Sequence, residues 1–410
     1  MARSPDHPIP IEEILEALDL PAGQPGIGYL QTLFARFNER VPFETASKIV
    51  RNAEVSDLAG KPRRPELFWP EHLDSGAGGT CFARVAAFDA LLGDLGFVRR
   101  VALGRVASEF DHAALLVTVE GEEWICDVGF PLPVILRGAD GETESALGAL
   151  RATREGRGWR IELLGGVPEG PRELEIFAAP VTPEQFDRRW QETYRPDSNF
   201  LSAVTLRREK EGRSLSFAAG EIRVDDLHSR TRIPLPAPRA PLLEEQFGIA
   251  RELLERAFGL SGDPDSAITS SEVSVYLEAD RPAAAVFEAI ASPRAYRALM
   301  EGVGSVRETD MGGGVWRLRL SPAATAGEGS QETAVEEEVT VDGTTRTLRV
   351  MRGSQESFYR VLLRGKKTFL VRRLVLPGSR LDLLRNDSLR GRFAGTLAVD
   401  LLAWARLLKK

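Results

Sequence analysis

The stretch Gly76-Ala77-Gly78-Gly79-Thr80-Cys81-Phe82 crowds three glycines in front of one of only two cysteines in the chain. Directly after it, Phe82, Val85, Phe88, Leu92 and Leu95 recur at steps of three and four, the spacing of one helix face. The spacing predicts a helix with Cys81 in its first turn, entered from a loop of wide backbone freedom. Free N–H groups and the helix dipole at such a position favour a thiolate. A thiolate nucleophile needs a base, and His112 opens the alternating run His112-Ala-Ala-Leu-Leu-Val-Thr-Val119. After Glu120-Gly121-Glu122-Glu123 comes Trp124-Ile-Cys-Asp127-Val-Gly-Phe130. Residues 112–119 and 123–129 read as a hairpin. With a two-residue loop at Glu120-Gly121, His112 falls opposite Gly129 and Asp127 is its diagonal neighbour on the same face. An odd-numbered loop would put the two on opposite faces. Cys81, His112 and Asp127 are thus read as nucleophile, base and orienting carboxylate.

Each of these residues has a plainer reading alone. Cys81 suits a small buried hydrophobe, His112 a satisfied strand-end histidine, and Asp127 a strand-end cap. The ordered set is what favours a triad. Cys126 alternates to the sheet face opposite Asp127 and reads as core filler. His7, His72 and His228 lie in polar surroundings and are expected at the surface. The four histidines show no ligand spacing, so no metal site is expected.

Upstream, Ile11–Leu18 is a short amphipathic helix, and Tyr29, Leu30, Leu33, Phe34 and Phe37 form a stronger stripe ending at Val41-Pro42-Phe43-Glu44. Residues 61–75 read as a polar, proline-marked loop. Downstream of the nucleophile helix, a strand is expected near Val101–Val106, then short strands at Leu150–Thr153, Trp159–Leu164 and Leu174–Phe177. A helix follows at Thr182–Thr193, with Thr182 as cap and Pro183 at its first position. Leu201–Arg207 and Ser214–Phe217 are strand-like, and Leu242–Phe258 reads as one closing helix.

These residues resemble the arylamine N-acetyltransferases. The resemblance rests on Gly78-Gly79-Thr80-Cys81-Phe82, His112 with Leu115-Leu116-Val117, and Asp127-Val128-Gly129-Phe130, in that order. It is extended by Val41-Pro42-Phe43-Glu44, Pro196-Asp197-Ser198-Asn199-Phe200 and Glu244 to Ile249. It covers residues 10–258. It implies a cysteine-protease-like fold of helical subdomain, β-barrel and α/β lid. It also implies acyl transfer from acetyl-coenzyme A or another acyl thioester, through a cysteine acyl-enzyme, to an amine. The thioester is a cosubstrate, and no permanently bound cofactor is implied. Phe43, Thr80, Phe82, Gly129, Phe130, Pro196, Ser198 and Phe200 are implied as substrate-binding. Ala77, Ala83, Val85, Thr45 and Pro131 depart from the family pattern and remove polar groups near the cysteine. That loss points toward larger acyl groups, as in the similar amide synthases of natural-product pathways, and leaves an acyl carrier protein open as donor.

From residue 261 the chain begins again. Ser261-Gly-Asp-Pro-Asp-Ser-Ala267 is a linker by composition. Glu272–Ala279 alternates as a strand, Arg281-Pro282 opens a helix to Ala291, and a short helix is expected at Tyr296–Met300. Six strands follow: Gly304–Thr309, Val315–Leu320, Thr333–Val341, Thr345–Arg352, Ser357–Leu363 and Thr368–Leu376. Gly312-Gly313-Gly314 reads as a turn. Ser388–Leu408 is one long amphipathic helix. This order resembles the START-like, polyketide-cyclase superfamily and its helix-grip fold. The whole is therefore expected to be α+β and multidomain, with an acyltransferase domain over 1–260 and a helix-grip domain over 268–410 that either binds an apolar ligand or is a purely structural or dimerising appendage.

The chain has 410 residues, enough for two or three domains, and a net charge of −7 with both signs interspersed. Neither a nucleic-acid nor a membrane partner is expected. No secretory segment or membrane span is read at the N-terminus or elsewhere, and two cysteines without a disulfide pattern suggest a reducing cytoplasm. The expected partner is a small aromatic amine or a bulky apolar molecule; oligomeric state is unassigned. Two further function classes stay open on the same residues: a cysteine hydrolase and a non-catalytic binder of apolar ligands.

Overall fold

The computed structural model describes residues 9–164, 173–196, 198, 200–262, 266–291, 303–322, 335–364 and 367–408. The short helix expected at Tyr296–Met300, along with His7, Asp197 and Asn199, lies outside them. By contacts the chain forms two units, one of Met1–Leu227 with Leu235–Ala267 and one of His228–Pro234 with Ile268–Lys410. A single strand at 228–234, within the residues expected for the first domain, belongs with the second.

The first unit opens with helices α1 (Ile11–Ala17), α2 (Ile27–Arg40), α3 (Ala46–Glu54), α4 (Pro65–Ser75) and α5 (Cys81–Asp94), with strand β1 (Phe43–Glu44) between α2 and α3. Leu30, Leu33, Phe34 and Phe37 of α2 are buried, as their spacing predicts, and Phe37 lies 4.8 Å from Phe88 of α5, centroid to centroid. An antiparallel sheet follows. Its strands are β2 (Val98–Arg105), β3 (Glu109–Val119), β4 (Glu122–Cys126), β5 (Leu136–Arg137), β6 (Gly141–Thr143), β7 (Leu150–Glu155), β8 (Gly158–Leu163) and β9 (Glu173–Phe177), in the order β5-β4-β3-β2-β9-β8-β7-β6. Helix α6 (Pro183–Glu192) carries the expected Thr182 cap as a full capping box with Gln185. Strands β10 (Leu206–Lys210), β11 (Arg213–Ala218) and β12 (Glu221–Asp225) extend from β1.

Residues 61–75 are not a loop. Pro65 occupies the first position of α4, where a helix has no use for an N–H, and Pro70 lies inside it. Phe68 and Trp69 are fully buried, and their burial outweighs the bond lost at Pro70. His72, on the same helix, is buried rather than exposed: its ring stacks on Phe68 and Nδ1 lies 3.2 Å from Ala77 O. Burial pushes its pKa down to about 4, so it stays neutral. His228 is exposed as expected.

The closing helix is two helices, α7 (Ala240–Phe247) and α8 (Arg251–Ser261). Gly248 breaks them with a left-handed φ of 73°. The break lets Ala250 N–H donate to Ser75 O at the end of α4, at 2.8 Å.

The second unit consists of β13 (Ser229–Pro234), β14 (Ser271–Ala279), α9 (Ala283–Ile290), six further strands and the C-terminal helix Asp387–Leu408. The six are β15 (Val303–Gly312), β16 (Val315–Pro322), β17 (Val335–Asp342), β18 (Thr347–Arg352), β19 (Gln355–Arg364) and β20 (Lys367–Leu376), and a five-residue helix, Leu381–Arg385, precedes the last one. The antiparallel order is β13-β14-β20-β19-β18-β17-β16-β15, so β14 pairs with the last strand of the run. The C-terminal helix packs on β14, β20 and α9, and Arg372 of β20 reaches its Asp400 at 3.4 Å.

The junction of α4 with α7 and α8 yields a stability prediction. A Cβ at Gly76 would stand 1.7 Å from Gly248 O, whereas one at Gly248 meets only the end of the Arg208 side chain at 3.7 Å. Gly248→Ala pays only backbone strain and is expected to cost about 1 kcal/mol. Gly76→Ala adds a collision with backbone and should cost more than about 3 kcal/mol. Urea denaturation of both variants checks the ranking; equal midpoints would contradict it.

Candidate active site

Helix α5 begins at Cys81, with Thr80 as an extended N-cap whose side chain does not cap. The loop before it is fixed from β1: Phe43 bridges to Gly79, and Glu44 N–H donates to Gly79 O at 3.1 Å. Cys81 is 6% exposed, and its Sγ faces Asp111 O at 3.9 Å.

The β3–β4 hairpin has the expected two-residue loop, with Val119 opposite Glu122 and Leu115 opposite Cys126. Its register brings His112 and Asp127 to one face. His112 Nε2 lies 2.7 Å from Asp127 Oδ2. The other carboxylate oxygen accepts the Phe130 N–H at 2.8 Å, so the turn Asp127–Phe130 holds the carboxylate in place. A Cβ on Gly129 would stand 2.9 Å from both Cys81 Cβ and His112 Cε1, so this glycine keeps the space between thiol and imidazole open.

Burial works against a charged imidazole at His112, but the charge and hydrogen bond of Asp127, with Cys81, outweigh it and raise the pKa to about 10. Cys126 is fully buried, and desolvation, with Asp127 adjacent, pushes its thiol well above the ordinary range. It is core filler, as its alternation predicts.

The surroundings of Cys81 are more polar than the residues missing at Ala77, Ala83 and Val85 imply. Those three are buried, but buried charges arrive from elsewhere in the chain. Arg63 Nη1 donates to Gly78 O at 2.8 Å and Ser47 Oγ at 2.7 Å, and stands 3.8 Å from Glu44 Oε1. Arg84, three residues after Cys81, donates Nε to Val128 O at 2.7 Å, Nη2 to Asn38 Oδ1 at 2.8 Å, and Nη1 to Val41 O. Lys48 is 3% exposed, with Nζ 4.9 Å from the Tyr194 ring centroid and 5.7 Å from that of Phe200. Arg84 had a signal in the sequence, a cation within an apolar helix. Lys48 and Arg63 had none, because only the fold brings them to the nucleophile turn.

The residues implied as substrate-binding divide. Phe43 meets Phe200 edge to face at 5.7 Å, and Phe130 meets the His112 ring at 6.4 Å. Thr80, Gly129 and Cys81 share the turn region described above. Phe82 instead is fully buried against Phe186 of α6, so its ring is core packing. Pro196 is exposed and Ser198 half-buried. Among the described residues no group of three or more His, Cys, Asp or Glu is placed to hold a metal ion, and no helix is long and apolar enough to cross a membrane.

Comparison with known proteins bears on this half of the chain. Residues 27–162 match the family profile described as N-acetyltransferase. The chain is 31% identical over 155 residues to the arylamine N-acetyltransferase / N-hydroxyarylamine O-acetyltransferase of Salmonella typhimurium, a match covering 35% of this chain and 52% of that protein. It is 31% identical over 111 residues to the arylamine N-acetyltransferase of Escherichia coli, covering 25% of this chain and 37% of that one. The matched part thus spans about half or less of these relatives' length. Solved structures extend the likeness in fold. The S. typhimurium enzyme superposes with a TM-score of 0.51 at 24% identity over 61% of this chain and 97% of its own. The Mycobacterium smegmatis arylamine N-acetyltransferase gives 0.54 at 19% identity, over 62% and 100%. The Mycobacterium marinum enzyme, solved in complex with CoA, gives 0.52 at 20% identity, over 61% and 99%. About three fifths of this chain therefore has the arylamine N-acetyltransferase fold, and residues 27–162 carry the sequence pattern of the N-acetyltransferase family.

Proposed function

We propose that the first unit transfers an acyl group from a thioester, acetyl-coenzyme A in the simplest case, through a Cys81 acyl-enzyme to an aromatic amine. The observation that carries this reading is the imidazole of His112, held by Asp127 at 2.7 Å on one nitrogen, with Cys81 across the space that Gly129 leaves open. His112 takes the Cys81 proton, and the thiolate attacks the thioester carbonyl. The new Sγ–C bond forms, the old C–S bond breaks, and the departing thiolate receives the proton from the imidazolium. The amine then attacks the acyl-enzyme, His112 collects its proton, and Cys81 leaves. Free backbone N–H groups at the start of α5 receive the oxyanion. Thiolate attack on a thioester exchanges like for like, which suits cysteine better than serine.

Phe43, Thr80, Gly129, Phe130, Ser198 and Phe200 would line the acceptor's approach, with Pro196 at its outer edge. The coenzyme is a cosubstrate, and an acyl carrier protein is the alternative donor. A free-thiol nucleophile fits a reducing compartment, hence the reading of the protein as cytoplasmic. The strand order of the second unit, and the long helix laid on its first and last strands, support reading it as a helix-grip domain for an apolar ligand.

Intact-protein mass spectrometry after exposure to acetyl-coenzyme A tests the nucleophile. Wild type and Cys126→Ala are expected to gain one acetyl mass and Cys81→Ala none. Acetyl carried by Cys126 would overturn the assignment.

The His112–Asp127 pair also sets a pH dependence. Its imidazole pKa is about 10 when folded, against about 6.5 unfolded. The folded state therefore binds the extra proton more tightly, and the pair's stabilisation is complete below about pH 6.5 and lost as pH rises toward 10. Asp127→Asn should cost about 3 kcal/mol at pH 6, with the difference from wild type shrinking as pH approaches 10. Urea denaturation of both proteins across that range checks it; a difference that grows with pH would contradict the pairing.

A further inference from the structure

Lys48 is the buried charge that the acyl-transfer steps do not use. It stands in the first turn of α3, four residues after Glu44. Glu44 is already taken: Oε2 accepts Ser47 N–H at 2.8 Å, Oε1 accepts Ser47 Oγ–H, and Arg63 stands 3.8 Å away. Arg63 also holds Glu71. Among the described residues, Lys48 Nζ is buried without a hydrogen-bond partner. It lies instead over the rings of Tyr194 and Phe200, and Phe200 touches Phe43, whose backbone bridges to Gly79 of the nucleophile turn. Burying an ammonium with no partner is costly, and the cost is tolerated where a ligand supplies the missing anion.

We propose that Lys48 is a specificity-determining residue that receives a carboxylate carried by the reactant approaching Cys81. The flanking rings suit a flat or extended reactant, and the ammonium donates to the carboxylate at its end. This rests on the acyl-transfer reading for its substrates, but the anion anchor can be tested without any acyl transfer. The carboxylate sits either on the amine acceptor or on the acyl group, and the two sources separate by experiment.

The first measurement is alkylation of Cys81, located by peptide mapping, with iodoacetate and with iodoacetamide. The reagents share a leaving group and differ in one negative charge, so the ratio of their rates does not depend on the thiolate fraction. In Lys48→Met, and in Lys48→Gln as a second neutral variant, the iodoacetate-to-iodoacetamide ratio should fall by at least about tenfold. Removing an unpaired buried charge should leave the thermal midpoint no lower. The second measurement is selectivity in turnover. A fall in the preference for 4-aminobenzoate over aniline in the variants places the carboxylate on the acceptor. A fall in the preference for succinyl- over acetyl-coenzyme A places it on the acyl group. An alkylation ratio unchanged in both variants overturns the proposal and leaves Lys48 as a counter-charge for the thiolate only. Unchanged selectivity in both turnover arms, with turnover intact, also overturns it. A falling ratio in a protein that forms no acyl-enzyme keeps the anion anchor and removes the acyl-transfer reading.

Discussion

A guanidinium with no access to water ties the nucleophile helix to the rest of the site. Arg84 is fully buried, and it donates to the carbonyls of Val128 and Val41 and to the Asn38 side chain. Three segments far apart in the chain are joined at one side chain: the first turn of α5, the turn that carries Asp127 and Gly129, and the end of α2. Burial and the neighbouring Arg207 lower its pKa to about 9, while Asp127, Glu44 and Glu209 oppose the loss of charge. A buried cation costs free energy unless it is hydrogen-bonded in full. Supplying these acceptors at once fixes the start of α5 against the turn that carries Asp127 and against the end of α2.

The electrostatics of the site follow from the same crowding. Glu44 and Asp127 are both buried and both occupied, the first by Ser47 and Arg63 and the second by His112 and the Phe130 N–H. Arg63, Arg84 and Lys48 bring three buried cations to the same region. The local field of these cations is positive. It is supplied by residues from outside the Gly-Gly-Thr-Cys-Phe stretch, whose own positions at Ala77, Ala83 and Val85 are apolar.

The second unit stands on different physics. Its sheet pairs β14 with β20, both of which carry a run of four consecutive buried residues, and its long helix packs on those two strands, with Arg372 meeting Asp400. Arg372 also lies 4.2 Å from the Tyr359 ring centroid on the neighbouring strand. No cysteine or histidine falls within residues 268–410.

Local pattern alone determined much of this protein. The three- and four-residue spacing after Cys81 settled α5, and the two-residue loop at Glu120-Gly121 settled the register that makes His112 and Asp127 neighbours. Both are short-range rules: a helix period and a pleat period translate directly into faces. Pattern failed where burial overrode composition. The prolines of 61–75 suggested a loop, yet Phe68 and Trp69 pull that segment into a helix and bury His72 with it. Gly248 breaks an apolar stripe that reads as continuous, and its carbonyl lies against Gly76, 172 residues earlier in sequence. Lys48 and Arg63 belong to the site only through such long-range approaches, and the partners of Arg84 arrive the same way. A sequence shows which residues are charged, but whether a charge is buried, paired or left for a ligand depends on which distant segments the fold packs around it.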